Sequence, residues 1–307
     1  AEAGMVPSGS AGGILLGCAA CMTGADRGRM RALPHVEGKN EFVMQKQHRI
    51  GFDHAVGVAG GRIVEVGRAE ATTAADIEAA IGENTAGVLH VVLDPQPTVG
   101  LEEVAEIAHG KGVPVMVDAA AEVPPVDNLN AFLRAGGDLV IFSGGKDIAG
   151  PNDSGILCGR ADLIAAARAQ AFPNGPLGRP LKVSKEQIVG LVFALKRFVG
   201  LDEGARMARW QRMAAAMCAG LEGIDGVEVG IDFPTYGARP LVIPRARLQV
   251  DEEVLGKTVA EIEAELEKGT PAVAVLPQPG TIWLNPQHLE DGEEDIVVER
   301  VGEVLQA

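Results

Sequence analysis

The sequence predicts an α/β fold in two domains, a larger one at residues 1–200 with a mostly parallel sheet and a smaller α+β one at residues 201–307. Up to Pro180, continuous apolar runs of strand length alternate with segments of helical spacing. This pattern is typical of a parallel sheet that helices cover on both faces. After Pro180, a long helical stretch precedes short strands and charged helices. The 307 residues are 47% hydrophobic and 22% charged, which is ordinary for a globular protein with a sizeable core.

Six strands are predicted in the larger domain, and helical spacing appears between several of them. The strands are Glu41–Gln45, Arg62–Val66, Gly87–Leu93, Val113–Val117, Leu139–Phe142 and Ile156–Cys158, and two of the helices are Ala74–Ile81 and Leu101–Ala108. In open α/β sheets, ligands bind beyond the carboxyl ends of the strands. We therefore expect the functional site at the ends of these strands.

The smaller domain is predicted to follow a long helical stretch at Lys185–Leu221, in which Gly200 is a candidate break. Beyond it we expect strands at Val227–Ile231, Leu241–Ile243, Ala272–Leu276 and Thr281–Leu284, and helices at Val259–Lys268 and Glu293–Leu305. The sequence shows no internal repeat.

Charge and cysteine content exclude several classes of protein. The net charge is −15 without any basic run, so nucleic acid is not an expected partner. The four cysteines are too few for a disulfide framework, which favours a cytoplasmic setting. Cys18 and Cys21 form a C-x-x-C motif within the apolar stretch Ile14–Met22, and we interpret them as buried helix residues rather than metal or redox ligands. That stretch is too short to span a membrane, and we identify no targeting signal in the sequence.

Lys146 is the most informative position in the chain. It follows the apolar run Leu139–Phe142 and a Ser-Gly-Gly turn, where it is expected to lose hydration. Such loss lowers the pKa of a lysine and supplies the neutral amine that Schiff-base chemistry requires. Asp118 ends the preceding strand, Val113–Val117. Pyridoxal phosphate needs this pair, a lysine for its aldehyde and a carboxylate that keeps its ring nitrogen protonated. The alternative is an ordinary ion pair at a sheet edge.

A Ser/Gly turn near the start of the chain is a candidate phosphate site. Residues 6–13 read VPSGSAGG and lead directly into an apolar helix. A helix N-terminus favours an anion through its free N–H groups and its dipole. The turn matches neither a P-loop nor a dinucleotide fingerprint, and the alternative role is a simple helix cap.

Three longer motifs carry a family resemblance. They read PVMVDAAAEVPP (114–125), FSGGKDIAGPNDSGILCGRADLI (142–164) and GRPLKVSKEQIVGLVFAL (178–195). With the SGSAGG turn, they resemble the bacterial selenocysteine synthase-like group of fold-type I pyridoxal phosphate enzymes. This group includes L-seryl-tRNA(Sec) selenium transferase and D-glucosaminate-6-phosphate ammonia-lyase, and the sequence looks closer to the lyase branch. The resemblance implies an aspartate aminotransferase-like fold and a homodimer or larger homo-oligomer.

The resemblance also implies roles for individual residues. Lys146 would link to the cofactor aldehyde, Asp118 would bind the pyridine nitrogen, and Ala120 would pack against the ring. The phosphate would be held by Ser8, Gly9, Ser10 and Ser143, and residues from Gly150 to Ser154 would reach the cofactor phosphate of a neighbouring subunit.

Substrate contacts are expected from Arg179 and Lys182, whose cationic groups suit a carboxylate or phosphate. The alternative for both is a solvated surface cation. His48 is a candidate for stacking on the ring or contacting substrate, or else a loop histidine. His90 is interpreted as a core histidine with satisfied nitrogens, and Trp210 and Trp283 as packing residues.

The implied reaction is α,β-elimination from a small polar 2-amino acid or amino sugar acid, with or without a phosphate ester, giving a 2-keto acid and ammonia. Two departures leave the substrate open. The family carries a further N-terminal segment before the phosphate turn, and lyase relatives tend to have an arginine where this sequence has Val275 and Leu276. The alternatives are seleniation of seryl-tRNA, which the acidic charge disfavours, and a non-catalytic interaction protein, against which the retained Asp118 and Lys146 argue.

Overall fold

The computed structural model describes residues 1–93, 97–235, 237 and 239–307. The chain divides into two compact units, Ala1–Gly200 and Leu201–Ala307. In the described part of the chain, no helix has both the length and the apolar character needed to cross a membrane.

The large unit is built on one sheet flanked by helices. Its strands are β1 Ala3–Met5, β2 Glu41–Gln45, β3 Arg62–Val66, β4 Thr85–Val91, β5 Val115–Asp118, β6 Leu139–Ser143 and β7 Gly155–Gly159. Its helices are α1 Gly9–Thr23, α2 Arg27–Ala32, α3 His54–Val58, α4 Ala74–Ala80, α5 Leu101–Gly110, α6 Asn128–Arg134, α7 Ala161–Gln170 and α8 Lys185–Val199. Short 3₁₀ helices lie at Lys46–His48 and Gly51–Asp53.

The sheet has the order β1-β7-β6-β5-β4-β2-β3. The five strands from β6 to β3 in this order run parallel, and β7 is antiparallel to both β6 and β1. The α/β prediction with a mostly parallel sheet is therefore confirmed. Because β7 runs the other way, its first residue lies at the same edge of the sheet as the last residues of β5 and β6.

Helix α1 lies directly on the sheet. A Cβ on Gly17 would come within 2.5 Å of the Met116 sulfur, and one on Gly13 within 3.1 Å of Ile141, so these glycines permit close contact. Cys18 is fully buried in this helix and Cys21 is partly buried. Burial raises the pKa of Cys21 to about 12, so this thiol is protonated and unreactive at neutral pH. The structure thus agrees with the interpretation of both residues as packing groups.

The small unit contains an antiparallel sheet with the order β10-β11-β9-β8. Its elements are α9 Glu203–Leu221, β8 Val227–Asp232, β9 Arg245–Val250, α10 Glu252–Leu255, α11 Val259–Lys268, β10 Leu276–Gln278, β11 Thr281–Leu284 and α12 Glu293–Gln306. Helices α9, α11 and α12 cover one face of the sheet. The core between them includes Leu248 of β9, Ile282 of β11 and Val301 of α12. The predicted break at Gly200 is confirmed, since α8 ends before it and Asp202 caps α9 by accepting from the Ala205 N–H.

Two predicted strands of the small unit are wrong. Leu241–Ile243 lies between Pro240 and Pro244, and the strand begins only at Arg245. Ala272–Leu276 follows Pro271, and only its last residue belongs to β10. Proline cannot donate to a strand ladder, and apolar content alone concealed this restriction. Both tryptophans pack as predicted, with Trp210 and Trp283 nearly inaccessible to solvent.

Candidate active site

Asp118 ends β5 as a buried carboxylate at the carboxyl edge of the sheet. Its Oδ1 accepts a hydrogen bond of 3.1 Å from the Ala120 N–H. Burial raises the pKa of Asp118, whereas the Ala120 N–H and the charge of Lys146 act in the opposite direction. A cation next to this carboxylate would stabilise its charged form and so offset the effect of burial on its pKa.

Lys146 lies three residues beyond the end of β6, the strand next to β5. Two backbone hydrogen bonds join the segments that carry the two residues. The Ala119 N–H donates to the Ile141 carbonyl at 3.0 Å, and the Ser143 N–H donates to the Ala120 carbonyl at 3.3 Å. The structure therefore places Asp118 and Lys146 on adjoining strand ends, as the sequence predicted.

The side chain of Lys146 is exposed, so the expected loss of hydration is wrong. Its loop, rather than burial, determines its position. The Gly144 N–H donates to the Ser154 carbonyl and the Gly150 N–H donates to the Gly144 carbonyl. Ala149 adopts a left-handed φ of 56°, which is uncommon for a residue with a side chain. This strained turn presents the lysine at the open end of the sheet.

The loop leaves no room for side chains at its glycines. A Cβ on Gly144 would lie 2.3 Å from Ser154 Oγ and 2.7 Å from a Leu191 methyl group. A Cβ on Gly145 would lie 2.5 Å from the Asn152 Cα. Close approach of two backbone segments thus explains the Gly-Gly pair that precedes the lysine.

Ser154 shapes this loop from within. It is fully buried, and its hydroxyl donates to the Pro151 carbonyl at 2.6 Å. The hydroxyl is thus turned into the loop of its own subunit, and the expected contact of Ser154 with the cofactor of a neighbouring subunit stays a prediction. Gly150 is partly exposed, and its role toward a second subunit stays a prediction.

The Ser8–Ser10 turn meets the same edge of the sheet. Gly9 has a left-handed φ of 70°, and Ser8 occupies the N-cap position of α1 without a side-chain capping bond. The Gly155 N–H donates to the Pro7 carbonyl at 3.1 Å, which fixes the turn against the start of β7. The Ser8 hydroxyl is buried and has no hydrogen-bond partner. An orphaned hydroxyl at the N-terminus of a long helix suits a phosphate group.

His48 and His90 form a buried pair near the carboxyl ends of β2 and β4. Their rings meet edge to face with centroids 4.5 Å apart, and His48 Nδ1 accepts from the Val91 N–H at 3.4 Å. Burial lowers the pKa of His48 to about 4 and that of His90 to about 3. His48 is therefore a buried neutral ring, and its contact with the cofactor or the substrate stays a prediction. The sequence predicts that His90 is a core histidine with both ring nitrogens hydrogen-bonded. The residue is buried, but the prediction is wrong for Nδ1, which has no hydrogen-bond partner.

Arg179 and Lys182 lie over one aromatic ring. The Arg179 guanidinium carbon is 4.6 Å from the Phe172 ring centroid, and the Lys182 Nζ is 5.0 Å from it. Both side chains are exposed. Both cations are held next to this ring, and cationic groups of this kind suit an acidic group of a substrate. Their contact with substrate stays a prediction.

Comparison with known proteins identifies the family. The sequence profile of L-seryl-tRNA selenium transferase matches residues 52–217, more than half of the chain. The chain belongs to this family. Its matched segment contains Asp118, Lys146, Arg179 and Lys182.

Relatives with different reactions in their names resemble different lengths of the chain. A 5'-C-glycyluridine monooxygenase-decarboxylase from Streptomyces sp is 33% identical over 97% of the chain and 75% of the relative. The D-glucosaminate-6-phosphate ammonia lyase of Salmonella typhimurium is 32% identical over 100% of the chain and 82% of the relative. The L-seryl-tRNA(Sec) selenium transferase of Moorella thermoacetica is 31% identical over only 49% of the chain and 34% of the relative.

A solved structure of D-glucosaminate-6-phosphate ammonia-lyase superposes with a TM-score of 0.83 at 31% identity, covering 100% of the chain and 82% of that protein. This match confirms the fold-type I prediction. Both the sequence and the structure thus relate the chain to the lyase branch over a greater length than to the transferase branch.

Pyridoxal 5'-phosphate is the cofactor of the family, and the chain is a pyridoxal phosphate enzyme. The described residues fit this cofactor in three ways. The orphaned Ser8 hydroxyl lies in the turn expected to hold the phosphate. Asp118 is a buried carboxylate available to the ring nitrogen, and Lys146 is exposed on the adjoining strand end.

Glu122 was not singled out from the sequence. It is buried, and its charge adds to the burial that raises the pKa of Asp118. Its position four residues after Asp118, within DAAAE, was the available signal. The departure noted at Val275 and Leu276 lies at the start of β10, where Leu276 is the first residue of the strand.

Proposed function

We propose that the chain is an ammonia-lyase that eliminates a β-hydroxyl from a 2-amino-3-hydroxy acid, with an amino sugar acid or its phosphate ester as the substrate class. The observation that carries this proposal is the similarity to D-glucosaminate-6-phosphate ammonia-lyase over the whole chain, in sequence and in structure. Water leaves and is then consumed, so the products are a 2-keto-3-deoxy acid and ammonia.

The site residues divide the work of this reaction. The cofactor, when bound, supplies an electron sink for the charge that forms at the substrate Cα. Lys146 would hold the cofactor through its Nζ, and the free amine of the same side chain would accept the Cα proton of the substrate. Asp118 would hold the ring nitrogen of the cofactor, and its negative charge would favour a proton there. Arg179 and Lys182 orient the acidic end of the substrate.

An assay of ammonia and keto-acid release tests the reaction. The panel should contain 2-amino sugar acids, their 6-phosphates, and D- and L-hydroxyamino acids. We expect at least one sugar acid to be turned over and Lys146→Ala to abolish turnover together with the long-wavelength cofactor absorbance. Lys185→Ala is the matched control, because Lys185 is an exposed lysine whose ion pair with Glu186 lies at the surface. If the wild-type protein released neither ammonia nor a keto acid from any compound of the panel, the proposal would be contradicted.

The decarboxylase relative provides a second candidate reaction, since its similarity also spans nearly the whole chain. An oxygen-dependent decarboxylation consumes dioxygen and releases carbon dioxide, whereas elimination needs neither. Running the panel under anaerobic conditions separates the two. Turnover that disappears without oxygen would favour the second candidate. Seleniation of seryl-tRNA has weaker support, because the transferases match only half of the chain and the net charge is −15.

A homodimer in the cytoplasm is the assembly we propose. Helix α8 exposes an apolar stripe in which Val189 is 68% and Phe193 is 72% accessible, with Ile188 and Val192 alongside. Exposed apolar stripes of this kind are typical of subunit interfaces. Phe193→Glu should convert a dimer into a monomer in light-scattering measurements. The free cysteines accord with a reducing compartment.

A further inference from the structure

Arg245 is a buried cation of the small unit that forms no ion pair within the described part of the chain. It is only 1% exposed at the start of β9. Its Nη2 donates one long hydrogen bond of 3.4 Å to the Pro240 carbonyl, and its Nε has no partner. Among the residues that the structure describes, no carboxylate forms a salt bridge with Arg245. A guanidinium carries five N–H donors, and the buried Nε donor of this one is unused.

Such a placement is costly unless a partner is supplied. Burial lowers the pKa of Arg245 to about 10, and no neighbouring acid offsets this effect. The group is nevertheless protonated at neutral pH. Buried charges in proteins are normally paired or hydrogen-bonded, and a charge left alone destabilises the fold. An anion that enters from solution would complete the site.

The strand register gives Arg245 a cationic neighbour. Ala246, Leu248 and Val250 of β9 point into the core of the unit, so Arg245 and Arg247 share the opposite face. Their Cα atoms are about 7 Å apart along the strand. Arg247 Nε is also buried without a hydrogen-bond partner. Two guanidiniums, each with a buried Nε that lacks a hydrogen-bond partner, therefore lie on one face of the small sheet.

The nearest acid in the register does not neutralise Arg245. Asp232 of β8 pairs with Arg245 along the backbone, but its carboxylate is 3.8 Å from Arg247 Nη1. The same carboxylate accepts a hydrogen bond from the Phe233 N–H. The net charge of the group formed by these two arginines and Asp232 is positive.

We propose that Arg245, with Arg247 beside it, binds the carboxylate or phosphate group of a small acidic ligand on this face of the small unit. Guanidinium groups bind such oxyanions through paired hydrogen bonds, which suits an arginine that retains free donors. The proposal does not depend on the reaction proposed above, since it concerns binding in the small unit alone.

Titration of the cofactor-loaded protein with inorganic phosphate and, separately, with succinate tests the site. Calorimetry and thermal unfolding are measured at low millimolar anion, below the concentrations at which salts act by exclusion. We expect the anion to bind and to raise the Tm of the wild-type protein. Arg245→Met should weaken binding by about ten-fold or more, the loss expected for a charged hydrogen-bonding group. The cofactor absorbance should stay unchanged, which separates this site from the cofactor phosphate site.

Arg212→Met is the control, because Arg212 is an exposed arginine of the same unit. It should retain the full anion response. In buffer without oxyanions, Arg245→Met should not lower the Tm, since it removes an unpaired buried charge. A rise in the KM for the substrate, with kcat unchanged, would identify the anion as a group of the substrate, and an unchanged KM would identify a separate ligand. An Arg245→Met variant that keeps the full anion response, or a wild-type protein that binds neither anion, would overturn the proposal.

Discussion

Asp118 ends β5 and Lys146 follows the adjacent parallel strand β6, and the backbone near the two residues is hydrogen-bonded across the strand ends, from Ala119 to Ile141 and from Ser143 to Ala120. The spacing of the two side chains is thus determined by the sheet and not by a flexible loop alone. Sites on rigid elements hold their geometry better than sites on loops.

Asp118→Asn should reduce kcat while the protein still takes up the cofactor through Lys146. An amide is neutral and cannot keep a proton on the ring nitrogen, so we expect a loss of about 100-fold or more, comparable to the removal of a proton-transfer group. Steady-state kinetics and absorbance spectra measure the two effects. Asp127→Asn is the control, since Asp127 is an exposed acid paired with Arg134. Wild-type kcat in Asp118→Asn would contradict the assigned role.

Ser8→Ala should weaken cofactor binding without weakening the fold. The buried Ser8 hydroxyl has no partner within the protein, so its removal should leave the Tm of the cofactor-free protein unchanged or slightly higher. Loss of a hydrogen bond to a phosphate should lower the affinity for pyridoxal phosphate by about ten-fold. Equilibrium titration and thermal unfolding give the two numbers. Lower stability with unchanged affinity would instead indicate a structural hydroxyl.

Continuous apolar strands and well-capped helices could be predicted from the sequence. β2, β3 and β11 have the predicted bounds, and α11 begins after Thr258, which forms a capping box with Glu261. β9 could not be recognised as an apolar run, because Arg245 and Arg247 alternate with its core residues. A strand of this kind can be recognised only from the alternation of polar and apolar residues, taken together with the positions of the neighbouring prolines.

The site residues that lie at or just after a strand end, Asp118 and Lys146, could be predicted from the sequence. The contacts between segments that are distant in the sequence could not. The contact of Pro7 with Gly155 depends on β7 running antiparallel to its neighbours, and periodicity does not give strand direction. The burial of Ser154 likewise depends on how the lysine loop folds back.

Gly144→Ala should disturb Lys146 through the loop. The new methyl group would lie 2.3 Å from Ser154 Oγ and 2.7 Å from Leu191, and both neighbours are fixed by packing. We expect a loss of about 1–3 kcal/mol in the free energy of unfolding, as for overpacked cores, together with reduced turnover. Gly175→Ala is the matched control, because a Cβ there meets no atom within 4 Å. Equal stability of the two variants would show that the loop can relax.

His90→Leu should make the protein less sensitive to acid. The folded state lowers the pKa of His90 to about 3 and that of His48 to about 4, from an ordinary value of 6.5. The unfolded chain therefore binds these protons first, so stability is full above pH 6.5 and falls as the pH decreases from 6.5 toward 4. Each histidine should account for about 3 kcal/mol of this fall, at about 1.4 kcal/mol for each pH unit.

Leucine at position 90 removes one of the two histidines and also the unpartnered Nδ1. The decrease in the free energy of unfolding with acid should therefore be about half as large. Urea unfolding followed by circular dichroism at pH 7.5 and at lower pH measures the difference, with the exposed His35→Gln as the control. If the stability of His90→Leu decreases with acid as steeply as that of the wild-type protein, other groups govern the acid transition. The wild-type protein and the variants must carry the same fraction of bound cofactor, because a bound cofactor stabilises the native state by mass action at every pH.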